Sequence, residues 1–120
     1  MSQERFEVQR RDGESLYVLL HHDGEGSPLE EAGVEAYVTV DSAGDADPQR
    51  VFYHTEVSEA YAGQGLGSVL VRSAVEDAIA GGYAIVPVCP YVAKWLAKHP
   101  EYAEHVVNPR PEHLRAVRDR

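Results

Sequence analysis

Through the first half of the chain, apolar and polar residues alternate with the period of two that a sheet imposes. After Gly65 the spacing becomes helical. The strand-like runs 6–10 and 15–21 flank Arg11-Asp12-Gly13-Glu14, and an Asp-Gly pair in that setting predicts a hairpin. Beyond a turn-rich acidic stretch, residues 23–33, Val34, Ala36, Val38 and Val40 alternate with Glu35, Tyr37, Thr39 and Asp41, as in a half-buried strand. A second acidic loop, residues 42–49, leads to a run over 50–57 rich in β-branched and aromatic residues, which predicts a fourth strand. On strict alternation Phe52, His54 and Glu56 point one way along it, and Tyr53, Thr55 and Val57 the other.

In the second half, Leu66, Leu70, Val71, Ala74, Val75, Ala78 and Ile79 share one broad helical face, with Ser68, Arg72, Glu76 and Asp77 opposite, and Gly81-Gly82 stops the helix. The apolar run 83–88 predicts a buried strand parallel to the fourth, reached through the helical crossover. Pro90 suits the first position of another helix, where its missing N–H is harmless; Val92, Trp95, Leu96 and His99 line one face of it and Pro100 ends it. The expected order is β-β-β-β-α-β-α in one domain over residues 1–120, with 106–120 a charged tail forming a solvated or frayed helix.

Charge narrows the class. The 120 residues carry 20 Asp and Glu against 11 Lys and Arg, a net charge of -9. Nucleic-acid binders draw most of their affinity from Lys and Arg on phosphates, so that class is excluded as an expectation. The imbalance is uneven: residues 1–62 hold 14 acidic and 4 basic side chains, residues 63–120 hold 6 and 7. A bound anion is therefore expected in the second half. One cysteine, Cys89, forms no internal disulfide, which reads as a reducing, cytoplasmic setting. A polar N-terminus and the lack of any run near ~20 apolar residues predict neither a signal peptide nor a membrane span. The histidines His21, His22, His99, His105 and His113 have no partners at metal-ligand spacing, so no metal is expected.

Gly63-Gln64-Gly65-Leu66-Gly67 follows a strand and opens a helix, which aims backbone N–H groups at the positive end of the helix dipole, where a phosphate can sit. Ser68 follows with no lysine, which excludes a P-loop. The G-x-G-x-G spacing, the four preceding strands and the lack of an acid in 84–88 argue against a dinucleotide site. His54-Thr55-Glu56-Val57 followed by Ala62-Gly63-Gln64-Gly65-Leu66-Gly67 resembles the acetyl-CoA-binding motif of GNAT-type N-acetyltransferases, most closely a short branch with an H-T-E-V strand and a Cys-Pro or Cys-x-Tyr segment after the next strand. The resemblance runs over residues 6–99 and is most specific over 54–91. It implies an α+β GNAT-type fold with a mostly antiparallel, splayed sheet. It also implies acetyl-CoA as co-substrate, its pyrophosphate on the loop amides and its pantetheine paired with the end of the fourth strand. Carried over, Val57, Gly63, Gln64, Gly65, Leu66, Gly67 and Ser68 would contact the cofactor. The motif's first position, usually Arg or Gln, is Ala62, which implies weaker binding.

Acetyl transfer needs a neutral acceptor, a polarised thioester and a proton for the leaving thiolate. Cys89 precedes Pro90 and so falls at the cap of the second helix, where the dipole favours a thiolate; in the short branch the matching cysteine lies near the thioester sulfur. Acetyl carrier and proton donor both remain open for it. His54 and Glu56, on one strand face, are candidate proton relays from the acceptor. Tyr91 is a candidate donor to the thiolate, and Arg72, Lys94 and Lys98 are the basic residues nearest the adenosine end. The acidic first half favours a cationic acceptor: a polyamine, a lysine side chain or a basic protein tail, met by the loops 23–33 and 42–49. A monomer or weak homodimer is expected. The rival reading is a non-catalytic CoA or acyl-CoA binding module, which keeps the glycine loop without needing a reactive Cys89.

Overall fold

The computed structural model describes residues 5–22, 30–41 and 47–120. The period-two half of the chain forms four strands, β1 (Phe6–Arg11), β2 (Leu16–His21), β3 (Glu30–Val40) and β4 (Gln49–Val57), paired antiparallel in chain order. Helix α1 (Leu66–Ala80) crosses back to β5 (Ala84–Pro87), which lies parallel to β4 at the edge of the sheet. Helix α2 (Pro90–Ala97), a 3-10 helix (Pro100–His105) and α3 (Pro111–Arg118) complete the order. This is the α+β, mostly antiparallel architecture that the sequence predicts, with the 3-10 helix following α2. No helix among the described residues is long and apolar enough to cross a membrane.

The hairpin forms where the Asp-Gly pair predicts it, with Glu14 N–H donating to Arg11 and Ser15 N–H to Asp12. The residue that turns left-handed there is Ser15, at φ 54°, rather than Gly13. Helix α1 buries Leu66, Leu70, Val71, Ala74, Val75 and Ala78 against Tyr17 and Leu19 of β2, Ala32 and Tyr37 of β3 and Phe52 of β4. Each large side chain removed from water in this way contributes roughly 1.5–3 kcal/mol. The helix ends at Gly81-Gly82 as expected, with Tyr83 N–H reaching the carbonyl of Ala78 and Gly82 N–H that of Ile79.

Two alternation expectations are corrected. On β3 the face toward α1 carries Glu35 and Tyr37, both buried, whereas Val34, Val38 and Val40 on the other face are only half-buried. On β4 the parity breaks. Ala36 pairs with His54 and the next residue, Tyr37, with Phe52, so Tyr53 is an extra residue, a β-bulge. Phe52 thus sits in the core with Val57 packed beside it, and His54 and Glu56 face away from them.

The tail is also corrected from solvated to docked. His113, at the third position of α3, is fully buried. Its Nδ1 accepts from the N–H of Arg110 at 2.9 Å, so Nε2–H donates to Oε1 of Gln49 on β4 at 2.7 Å. Only the neutral ring can make both bonds, and burial holds its pKa below the ordinary histidine value. The unfolded chain therefore binds a proton more readily than the folded chain, and the stability this anchorage contributes is lost progressively as pH falls below about 6.5. We expect His113→Ala to cost about 2–4 kcal/mol in chemical denaturation at neutral pH, and to abolish the part of the wild-type loss of stability at mildly acidic pH that this histidine supplies.

Candidate active site

Parallel pairing of β4 with β5 begins at Gln49 and Ala84 and stops at Phe52 and Pro87. Pro87 and Pro90 have no N–H for a continued ladder. Instead the carbonyl of Phe52 accepts from both Val88 N–H (3.0 Å) and Cys89 N–H (2.9 Å), and the chain turns away into α2. From Tyr53 to Val57, β4 has no strand partner on that side among the described residues. The opening is a cavity of about 360 Å³ lined by Thr55, Val57, Tyr61, Ala62, Gly63, Gly65, Leu66, Gly67 and Tyr91.

The floor of this cavity is the start of α1. Gly63 (φ 83°) and Gly65 (φ 72°) take left-handed conformations that cost other residues about 1–2 kcal/mol. Gly65 is the N-cap, no side chain among the described residues caps the helix, and no acid stands in its first turn. Its amides and the positive end of its dipole are therefore free for an anion. Gly67 serves a different need: a Cβ there would lie 2.6 Å from the hydroxyl of Tyr91. Trp95 ties the two helices together, its indole N–H donating to Ser68 Oγ at 2.8 Å while its ring stacks on His99 at 3.9 Å and Tyr102 at 5.6 Å.

Of the residues expected at the cofactor, Val57, Gly63, Gly65, Leu66 and Gly67 line the cavity. Gln64 is exposed and outside the lining, and the Ser68 hydroxyl is taken by Trp95, which leaves its backbone as the contributing part. Tyr91 stands in the wall. Arg72 is held by Tyr102 at 3.1 Å, and neither it nor Lys94 nor Lys98 lines the cavity. His54 and Glu56 are paired with each other at 3.2 Å on the opposite face of β4, with side chains 55% and 70% exposed. The bulge at Tyr53 and the alternation beyond it put Thr55 and Val57 on the cavity side, and His54 and Glu56, the expected proton relays from the acceptor, on the other face of the sheet. The acceptor-facing parts proposed at residues 23–29 and 42–46 lie outside the described residues.

Cys89 is the N-cap of α2 and only 5% exposed. Its Sγ lies 3.4 Å from Oγ1 of Thr55, the residue that lines the cavity. On the other side Thr55 Oγ1 donates to Oε1 of Glu35, directly across the β3–β4 ladder. Glu35 is fully buried and its Oε2 has no hydrogen-bond partner among the described residues. Burial pushes its pKa up to about 8, against the opposing hydrogen bonds from Thr55 and the backbone of His54. Sequence reading missed Glu35 and Thr55. Period two alone assigned Glu35 to the polar side of β3, and only a paired, covered strand turns that side inward. Among the described residues, no group of three or more His, Cys, Asp and Glu side chains is placed to hold a metal ion.

Residues 22–106 match the GCN5-related N-acetyl-transferase family, and the chain belongs to it. Two solved structures share the fold. A GCN5-like protein from Staphylococcus aureus, described as a suspected N-acetyltransferase, is 23% identical, with a TM-score of 0.59 over 91% of this chain and 95% of that one. A suspected acetyl transferase from Pyrococcus furiosus is 27% identical, with a TM-score of 0.51 over 80% of this chain and 64% of that one. No curated protein matches the chain. Acetyltransferase chemistry is thus the class to which this fold belongs, and acetyl-CoA is the donor typical of it.

Glu35 gives this site a stability signature. An unfolded glutamate loses its proton near pH 4.5, the folded one near 8, so between these values the folded state holds the extra proton and stability falls as pH rises. We expect Glu35→Gln to remove this slope, so that denaturation curves recorded between pH 5 and 8.5 show the variant gaining on wild type as pH rises.

Proposed function

We propose that this protein transfers an acetyl group from acetyl-CoA to a cationic amine, and that the acetyl group passes through Cys89. The observation that carries the reading is the cavity itself. It joins an unpaired stretch of β4 to the uncapped start of α1, so one extended ligand meets peptide groups along its chain and free amides at its phosphates. The lining is apolar apart from Thr55, Tyr61 and Tyr91, which suits a pantetheine arm. A pyrophosphate held by amides needs no lysine, in keeping with the absence of a basic lining residue and with Ala62 at the head of the motif.

Thr55 and Tyr91 hold the polar positions around the place where the thioester would lie. Cys89 lies behind Thr55, within reach of its hydroxyl. On the other face of the sheet a smaller cavity of about 230 Å³ is lined by Glu31, Gly33, Val34, Glu56 and neighbouring residues. Its carboxylates support a positively charged acceptor and give Glu56 a place on the acceptor side. The burial of Cys89 at 5% exposure is the one observation favouring the rival reading, a module that binds acyl-CoA without turning it over.

Calorimetric titration with acetyl-CoA tests the binding half. Binding with released or carried CoA is expected; no binding at millimolar acetyl-CoA would falsify the cofactor reading. Intact-mass spectrometry tests the transfer half. Acetyl-CoA alone should add one acetyl group to the wild-type protein and none to Cys89→Ser, whereas full turnover of an amine panel by Cys89→Ala would reject the carrier role. Gly67→Ala should fold normally, because the ring it displaces has a free end, yet bind acetyl-CoA about tenfold more weakly, a loss near 1.4 kcal/mol, by pushing Tyr91 from its place over the loop.

A further inference from the structure

We infer that Glu35, Thr55 and Cys89 form one proton relay, in which Glu35 takes up the thiol proton of Cys89 through the Thr55 hydroxyl. The inference deepens the acetyl-transfer reading and rests on it for its purpose, while the relay itself stands on three side chains. They come from three elements: β3, β4 and the cap of α2.

Hydrogen-bond arithmetic gives the relay its direction. Thr55 has one hydroxyl proton. The geometry has it donating to Glu35 Oε1, so the 3.4 Å contact with sulfur is then made by the Cys89 S–H donating to Thr55 oxygen. This is the state with an ionised carboxylate and a neutral thiol. If both bonds reverse, Glu35 carries the proton, Thr55 donates to sulfur, and Cys89 is a thiolate. The two states hold the same number of protons and differ only in which end of the chain keeps one. A buried carboxylate with one oxygen lacking a partner among the described residues is costly to hold ionised, which favours passing a proton to it. The titratable groups facing Glu35 are Tyr17 opposite it on β2, Tyr37 two residues along β3 and Cys89 beyond Thr55. No charged side chain contributes to its perturbed titration, whose causes are burial and the hydrogen bonds from Thr55 and the His54 backbone. Burial raises the proton affinity of Glu35, so at neutral pH the relay runs from the fraction of molecules in which Glu35 is ionised.

In transfer, the Cys89 S–H bond breaks as its proton passes to Thr55 and the Thr55 proton to Glu35. The sulfur bonds to the acetyl carbon and the bond from that carbon to the CoA sulfur breaks. Glu35 returns the proton through Thr55, which borders the cavity, to the departing CoA thiolate. Attack by the neutral acceptor amine then breaks the acetyl–Cys89 bond, and the amine's surplus proton restores the thiol. Atoms and charge balance with no further reactant. Glu35 touches neither substrate nor cofactor; it is a positioning residue that acts through Thr55.

Because Cys89 is the only cysteine, alkylation by iodoacetamide reports on it alone. Its rate should rise with pH in two waves in wild type, the signature of two sites sharing a proton. In Glu35→Gln it should rise in one wave, since glutamine keeps the shape and the hydrogen bond but releases no proton. Thr55→Val should slow alkylation at pH 7 by about tenfold, one unit in the thiol's titration, and Thr55→Ser should restore it. Unfolding curves on each variant ensure that native protein is compared. A single wave in wild type, a profile unchanged by Glu35→Gln, or wild-type rates in Thr55→Val would each overturn the relay. Calorimetry with acetyl-CoA on the same wild-type sample separates the two readings: failure to bind removes the acetyl-transfer purpose, whereas the alkylation profile decides the relay independently.

Discussion

One carbonyl, that of Phe52, sets the geometry on which the site depends. It accepts from both Val88 and Cys89, and in doing so ends the parallel pairing of β4 and β5. Beyond it β4 runs on alone, β5 is diverted into α2, and the gap is the cavity. Two local features enforce the break. Prolines at 87 and 90 remove donors that a longer ladder would need. The bulge at Tyr53 changes which residues face α1 just past the last paired position. The same break delivers Cys89 to the cap of α2 and within reach of Thr55.

The position of α1 against this gap is fixed at both of its ends. Near its C-terminus Asp77 accepts from Arg10 at 2.6 Å and Tyr17 at 2.7 Å, and lies 3.7 Å from Arg50. The Arg10 pair is partly exposed and worth at most about 1 kcal/mol. Arg50 is different: it is buried, bonds the Tyr17 hydroxyl at 2.6 Å, and has Tyr37 and Tyr83 rings 4.5 and 4.0 Å from its guanidinium carbon. A desolvated cation over aromatic rings gains about 2 kcal/mol or more, which helps offset its burial. Near the N-terminus, Trp95 holds Ser68 and so sets the spacing between α1 and α2. A helix clamped in this way presents its first amides at a constant distance from β4, which a site built on backbone groups requires.

The two buried charged residues of the sheet thus differ in kind. Arg50 has a carboxylate, a phenol and aromatic faces around its guanidinium, although its Nε lacks a hydrogen-bond partner among the described residues, and it holds structure. Among the described residues Glu35 has no cation beside it and one oxygen without a partner, and its cost is offset by a hydrogen bond toward the cavity wall. Buried polar groups left short of partners concentrate at functional sites because packing alone would remove them.

Much of this molecule was legible in the order of its residues. Periods of two and then of a helix gave the strands, the crossover and the apolar face of α1, because side-chain direction repeats with the backbone geometry of each element. The glycine loop and the Cys-Pro step were equally readable, since backbone conformation at glycine and proline is a local property. What sequence left open was which side of a strand is inside. That choice inverted β3, where Glu35 and Tyr37 face α1, and it broke on β4, where one bulged residue moved His54 and Glu56 away from the cavity and Thr55 toward it. Burial of His113, on α3, was likewise invisible, because its partner Gln49 stands far back in the chain. Local periodicity fixes the spacing of side chains along an element. Only the packing of one element on another decides which face loses its water, and the chemistry of Glu35, Thr55 and Cys89 follows from that decision.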